Sequence, residues 1–455
     1  MRDIVIKKVL IANRGEIASR IIRSCKQNNI ETVAIYSEAD ADAPFVKQAD
    51  ESYLIGPPRV NESYLKADKI IEIAKEANVD AIHPGYGFLS ENSEFANLCE
   101  KNGLIFIGPS AKVMEQMGDK IAARNLMKKA GVPVIPGTDE AIENTEDAIK
   151  IANEIGYPIM LKASAGGGGI GMQIVRSDEE LASAFESNSK RAEQFFGNGA
   201  MFMEKLLENA RHIEVQVIGD QFGNAVHLFE RECSVQRRNQ KVLEEAPSPF
   251  ISEETRMKMG EASVKAVKEI GYQNAGTIEY LVDENEQFYF LEMNTRIQVE
   301  HAITEEITGL DIVKLQIDVA NGKELPITQS DITLSGHSIE ARIYAEDPVT
   351  FFPSPGKIDQ YREPVGNHIR IEASIVEGSQ VTPFYDPMIS KLIVTAEDRD
   401  EAIKLLNEAL DQYVISGIKT NIPMLQTVVN EENFKAGNTT TDYVEKHYLP
   451  QSTKK

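Results

Sequence analysis

The 455 residues predict a chain of α/β and α+β character, with an N-terminal doubly wound parallel sheet followed by mixed strands and helices. Three observations lead there. Strand-like and helix-like segments alternate over residues 4–115, the pattern of parallel strands joined by crossover helices. Five glycines in the six positions 166–171 lie between two strand-like runs. An acidic stretch of period two, Gly276 to Asn294, reads as a hairpin.

In the first region, Val9 to Ala12 is a short apolar strand, and Gly15 opens a helix that reaches about Lys26. Thr32 to Tyr36, Ala81-Ile82 and Leu104 to Ile107 are further buried strands, with a helix over Ile70–Ala77. The first turn, Asn13-Arg14-Gly15-Glu16, lacks the Gly-x-Gly-x-x-Gly fingerprint, so dinucleotide binding is rejected. The loop His83 to Phe88 follows a strand, where α/β sheets place ligands, although a plain turn reads the same way.

Length sets a prior of two to four domains, and 42% hydrophobic residues suffice for several cores. A net charge of −23 argues against a nucleic-acid partner. No apolar run approaches the roughly 20 residues of a membrane helix, and the charged N-terminus is no secretory signal. Cys25, Cys99 and Cys233 are odd in number and far apart, which fits a reducing, cytoplasmic setting without disulfides or a zinc site.

Pro158 to Leu161 and Met172 to Val175 are strands flanking the glycine cluster. Backbone N–H groups there can wrap a phosphate, and with Lys162 upstream the segment reads as a hairpin flap over a nucleotide. A flexible linker is the blander alternative.

In the acidic hairpin, a tip at Asn285-Glu286 sets Glu279 opposite Glu292. Ile278, Tyr280, Val282, Tyr289, Leu291 and Met293 then share one apolar face, while Phe288, Phe290 and Asn294 join the two carboxylates on the other. Directly opposed carboxylates repel, and a hard cation such as magnesium reverses the sign. If the chain stays extended, Glu292, Asn294, Arg296, Gln298 and Glu300 all project to one side. Such a row suits a small oxyanion beside a terminal phosphate, with Arg296 gripping it and Glu300 as general base. Arg231 and the run Gln236 to Lys241 add a basic element that reads as part of the same anion site.

Taken together, Ile11 to Ile17, Ala81 to Ser90, the glycine loop, Arg211 to Gln216 and Glu292 to Glu300 resemble the biotin carboxylases of the ATP-grasp superfamily, over residues 7–447. The resemblance implies an N-terminal biotin carboxylase domain (1–118), an ATP-grasp domain (119–330, with a mobile lid about 133–204) and a C-terminal biotin carboxylase domain (335–447). It implies ATP contacts from Lys120, Lys162, Gly168, Gly169, Glu204, Lys205, Leu207, His212, Gln236 and Asn239. Glu279 and Glu292 would hold Mg2+ (or Mn2+) with Asn294 nearby. Bicarbonate would sit on Lys241, Arg296, Gln298 and Val299, with Glu300 as base, and biotin would meet Arg342 and Tyr86.

The biotin would arrive on a separate biotin carboxyl carrier protein, with carboxyltransferase subunits as further partners and a homodimer as the expected assembly. Three departures stand out. Asn239 occupies a position where most members have His, which bears on ATP affinity; Ile170 replaces a frequent Arg, and Ala302 a frequent Pro. Met257-Lys258-Met259 mimics a biotinylation tripeptide but falls within a helical pattern, Glu253 to Ile270.

Overall fold

A computed structural model describes residues 5–163, 172–196 and 198–452. The N-terminal region is a parallel sheet of β1 (Lys8–Ile11), β2 (Glu31–Ser37), β3 (Glu51–Gly56), β4 (Ala81–His83) and β5 (Ile105–Phe106), in the order β3-β2-β1-β4-β5. The edge strand β3 escapes sequence reading because its face is half solvated and carries no apolar run. The helix Gly15–Gln27 buries Ile17, Ala18, Ile21, Ile22 and Cys25 against this sheet.

The strand order reverses between β1 and β4, so the loops after both strands meet at the topological switch point. They interlock there. The Asn13 amide nitrogen donates to the carbonyls of Pro84 (2.8 Å) and Tyr86 (2.7 Å). Gly85 has φ +62°, and a Cβ on it would come within 2.9 Å of that same nitrogen, so only glycine fits.

Residues 159–205 add a small antiparallel sheet, β7-β6-β8, of β6 (Ile159–Ala163), β7 (Met172–Val175) and β8 (Met201–Lys205). Helices Thr145–Ile155 and Asp178–Phe196 cover it, with a separate core around Ile142, Leu161, Leu181 and Met203. Strands β6 and β7 pair as a hairpin, as their sequence suggests, while Gly168, Gly169 and Ile170 lie outside the described residues.

The site is carried by an eight-stranded sheet. It comprises β9 (Arg211–Gly219), β10 (Ala225–Arg237), β11 (Gln240–Ala246), β12 (Asn274–Val282), β13 (Phe288–Asn294) and β14 (His337–Tyr344), then strands Met388–Ala396 and Ile369–Ala373. Their order is β13-β12-β9-β10-β11-β14, then Met388–Ala396, then Ile369–Ala373. The β11–β14 ladder joins strands on either side of the expected boundary between the domains 119–330 and 335–447. Met257-Lys258-Met259 lies in the helix Glu253–Ile270, and Leu449–Ser452 forms a further short helix. No helix among the described residues is long and apolar enough to cross a membrane.

Candidate active site

The hairpin pairing of Glu279 with Glu292 is present in the β12–β13 ladder. The expected faces hold only up to that pair. A β-bulge at Leu291 shifts the register, so Tyr280 faces Phe290 and Val282 faces Phe288. Phe288 and Phe290 therefore leave the acidic face and pack in the core with Tyr280, the Phe288 ring edge-on to it at 5.4 Å. Tyr289 and Leu291 are half-buried instead. The turn spans Asp283–Gln287, where the Asp283 carboxylate accepts from the Asn285 and Gln287 N–H groups and Glu286 takes φ +58°.

Glu279 has Glu292 on one side and Glu214 of β9 on the other; Glu214 in turn lies opposite Arg231 of β10. Three carboxylates thus stand in one row across three strands, with Arg231 next on the fourth, an arrangement that repels unless cations intervene. Lys241 supplies one. Its ammonium donates to Glu214 Oε2 (2.6 Å), Glu279 Oε1 (2.8 Å) and Glu300 Oε1 (2.7 Å). Arg342 spans Glu244 (2.6 Å) and Glu300 Oε2 (3.0 Å). His212 Nε2 meets Glu279 Oε2 at 2.9 Å, and its Nδ1 lies 2.9 Å from the Gln236 amide.

Burial pushes the Glu300 carboxyl up, but Lys241, Arg342 and Arg231 outweigh it and hold the group well below the ordinary carboxylate value. Glu279 behaves alike: burial opposes ionisation, and Lys241 and His212 overcome it. Glu244 goes the other way. Burial, only partly offset by Arg342, raises it to about 7. Desolvation and then the Glu279 charge raise Glu292. Fixed cations thus keep Glu279 and Glu300 ionised, whereas at Glu292 the charges of His212, Lys241 and Lys120 only partly offset burial and its neighbour's charge. An opposed, all-oxygen carboxylate pair at the outer edge of this row fits a hard divalent cation.

Beyond Asn294 the chain does not stay extended: β13 ends there, and a helix begins at His301. The side chains of that segment converge nonetheless. Asn294 and Gln298 both donate to Glu279 Oε1, at 2.9 and 2.8 Å. Arg296 instead turns to Asn294 Oδ1 (3.0 Å) and Glu91 (3.0 Å), and the Val299 carbonyl accepts from Lys391. Tyr86 donates its hydroxyl to Glu16, at the switch point.

The basic element comes apart in three dimensions. Arg231 is fully buried. Arg237 pairs with Glu346, and Arg238 and Asn239 are exposed at a two-residue hairpin tip with φ +50° and +64°. Of the run Gln236–Lys241 only Lys241 and Gln236 reach the cluster, which Arg231 meets from within the core through Glu214 and Gln298. In the small sheet, Lys162 pairs with Glu204, Lys205 donates to the carbonyls of Gly156 and Tyr157 (both 2.9 Å), and Leu207 is half-buried. Lys120 begins the helix Lys120–Lys129, and its charge acts on Glu292.

Sequence reasoning missed Glu214, Glu244, Glu91 and Lys391. For Glu214 a signal existed: His212, Glu214 and Gln216 alternate with the apolar Ile213, Val215 and Val217, marking one polar face of a buried strand. The others act from segments whose own pattern is ordinary.

Three family models match the chain in succession: biotin carboxylase N-terminal domain over residues 5–114, carbamoyl-phosphate synthase L chain ATP-binding domain over 119–328, and biotin carboxylase C-terminal domain over 340–446. A biotin carboxylase of Halalkalibacterium halodurans is 62% identical over 97% of this chain and 98% of its own. A pyruvate carboxylase subunit of Methanothermobacter thermautotrophicus is 53% identical over 97% and 90%. Among solved structures, a Campylobacter jejuni biotin carboxylase described as a β,γ-ATP complex superimposes with a TM-score of 0.94, 50% identity, and coverage of 98% of this chain and 100% of that one. The biotin carboxylase domain of Hydrogenobacter thermophilus 2-oxoglutarate carboxylase, a dimer described with MgADP, ADP and bicarbonate, gives 0.92 at 52% identity, over 97% and 98%.

Proposed function

Because the chain belongs to the biotin carboxylase family and is an ATP-dependent carbon–nitrogen ligase, we propose that its site activates bicarbonate with ATP and carboxylates biotin borne on a separate biotin carboxyl carrier protein. The carrying observation is Glu300 held between Lys241 at 2.7 Å and Arg342 at 3.0 Å, an ionised acceptor flanked by two anion-binding cations.

ATP would lie between the small sheet and the large one, contacted by Lys120, Lys162, Glu204, Lys205, Leu207, His212 and Gln236, with Gly168 and Gly169 on its phosphates. Asn239, exposed at the β10–β11 hairpin tip, would join them. Glu279 and Glu292, with Asn294 nearby, would hold Mg2+ (or Mn2+), which supplies positive charge against the phosphates. Bicarbonate would seat on Lys241, Arg296, Gln298 and the backbone of Val299, with Arg296 exchanging its bonds to Asn294 and Glu91 for the anion.

Glu300 then removes the bicarbonate proton. The freed oxygen attacks the γ-phosphorus, and the bond to the β-phosphate oxygen breaks, giving carboxyphosphate and ADP. Carboxyphosphate divides into CO2 and phosphate, and the phosphate takes the N1 proton of biotin. Arg342 stabilises the resulting enolate while N1 bonds to CO2, with Tyr86 beside the ring.

The reaction is the first half of an acetyl-CoA or other acyl-CoA carboxylase in the cytoplasm, with carboxyltransferase subunits completing it and the chain acting as a homodimer. A second reading, one component of a two-subunit pyruvate carboxylase, draws on the 53% identity to the Methanothermobacter protein. ATP cleavage by the purified chain should require Mg2+, bicarbonate and biotin together. Cleavage indifferent to biotin would point to another ATP-grasp ligase, and the carrier that co-purifies separates the two pathway readings.

A further inference from the structure

Arg231 is a fully buried arginine whose five N–H groups all have partners. Its Nε donates to Glu214 (2.6 Å), one terminal nitrogen to Gln216 (2.8 Å) and Thr304 (2.9 Å), the other to Thr277 (3.2 Å) and Gln298 (2.7 Å). No N–H is left for a ligand, since a guanidinium has five donors and no acceptor. The position therefore cannot do what a basic residue near an anion site ordinarily does.

We propose that Arg231 is a positioning residue which sets the polarity of the Gln298 amide and thereby makes the site a bicarbonate receptor. A donor-only partner leaves the amide one orientation. Gln298 Oε1 must face Arg231, and Nε2 is turned to the opposite side, where it donates to Glu279 at 2.8 Å. Turned the other way, the amide would present its oxygen to both Glu279 and an incoming anion, two repulsive contacts in place of two attractive ones. The same guanidinium holds Glu214 against Lys241, fixing the ammonium that reaches Glu300. Thr304 and Thr277 anchor the fork from a helix and a strand, so its plane is fixed independently of ligand. This deepens the reading of the site as a bicarbonate receptor and rests on it.

The test is steady-state ATP cleavage with bicarbonate and ATP varied separately, for wild type, Arg231→Lys and Thr304→Val. Lysine keeps the charge but not the fork; valine loosens the fork and leaves Arg231 in place. The expected result is a rise of about tenfold or more in the bicarbonate KM for Arg231→Lys and of a few-fold for Thr304→Val, with the ATP KM within twofold of wild type. Equal rises for both substrates, or an unchanged bicarbonate KM, would overturn the assignment. Should Arg231→Lys fail to fold, Thr304→Val decides by the same criterion. If wild type itself shows no bicarbonate dependence, the reading of the site fails and this assignment with it; if wild type does and the variants match it, only the role of Arg231 fails.

Discussion

Lys241 donates to Glu300 across 2.7 Å, linking strand β11 to the residue that precedes the helix His301–Thr308. The same ammonium reaches Glu279 on β12. The carboxylates of Glu214, Glu279 and Glu300 are thus held within one hydrogen bond of a single cation, and the consequences can be measured.

Replacing Glu300 with Gln preserves its size but removes the ionised oxygen. Bicarbonate-dependent ATP cleavage should fall by about 10²–10⁴, the usual weight of a general base. ATP affinity, measured by titration calorimetry, should stay within a few-fold. Lost ATP binding would show that Glu300 belongs to the nucleotide site instead.

Glu292→Gln relieves repulsion with Glu279 and removes one of the two carboxylates proposed to hold Mg2+. Without metal the variant should be as stable as wild type or more stable, by roughly 0.2–1 kcal/mol. Its Mg2+ requirement for ATP cleavage should nevertheless rise. Lower metal-free stability together with an unaltered Mg2+ titration would contradict the pairing argument.

Glu232 is 2% exposed, and burial lifts its carboxyl to about 7, although Ser234 and Ser248 donate to it. A carboxyl raised in the folded state stabilises fully below its ordinary value of 4.5, and that contribution is lost as pH rises through about 7. Glu232→Gln should therefore gain on wild type between pH 5 and pH 8, by at most about 3 kcal/mol. Urea melts at the two pH values measure this; parallel behaviour of both proteins would refute it.

Asn239 occupies the left-handed region at φ +64°, as does Arg238 beside it. Asn239→Gly should be nearly neutral in a urea melt, whereas Asn239→Val should cost about 1–2 kcal/mol for its β-branched side chain. Equal effects would mean that turn geometry does not govern this position.

Much of the fold was readable because local pattern and local structure agree. The strand–helix alternation of the first sheet, the helix Glu253–Ile270 and the β6–β7 hairpin around the glycine loop follow from apolar spacing and turn residues. The Glu279–Glu292 pair was readable for the same reason, being a neighbour relation within one hairpin. The bulge at Leu291 was not, since it comes with Phe290 donating its N–H to the Pro133 carbonyl and bridging Val134, both far upstream in the sequence.

By itself, the sequence determined which side chains could do chemistry here: opposed carboxylates, a glycine loop, Lys241, Arg296 and Glu300 at alternating or clustered positions. Their partners came only with the tertiary structure. Arg231, read as one cation among several, became a saturated brace because its acceptors come from two neighbouring strands, a loop and a helix. Hydrogen bonding is short-ranged and directional, so a side chain's role follows from which atoms surround it, and that neighbourhood exists only once distant segments have packed.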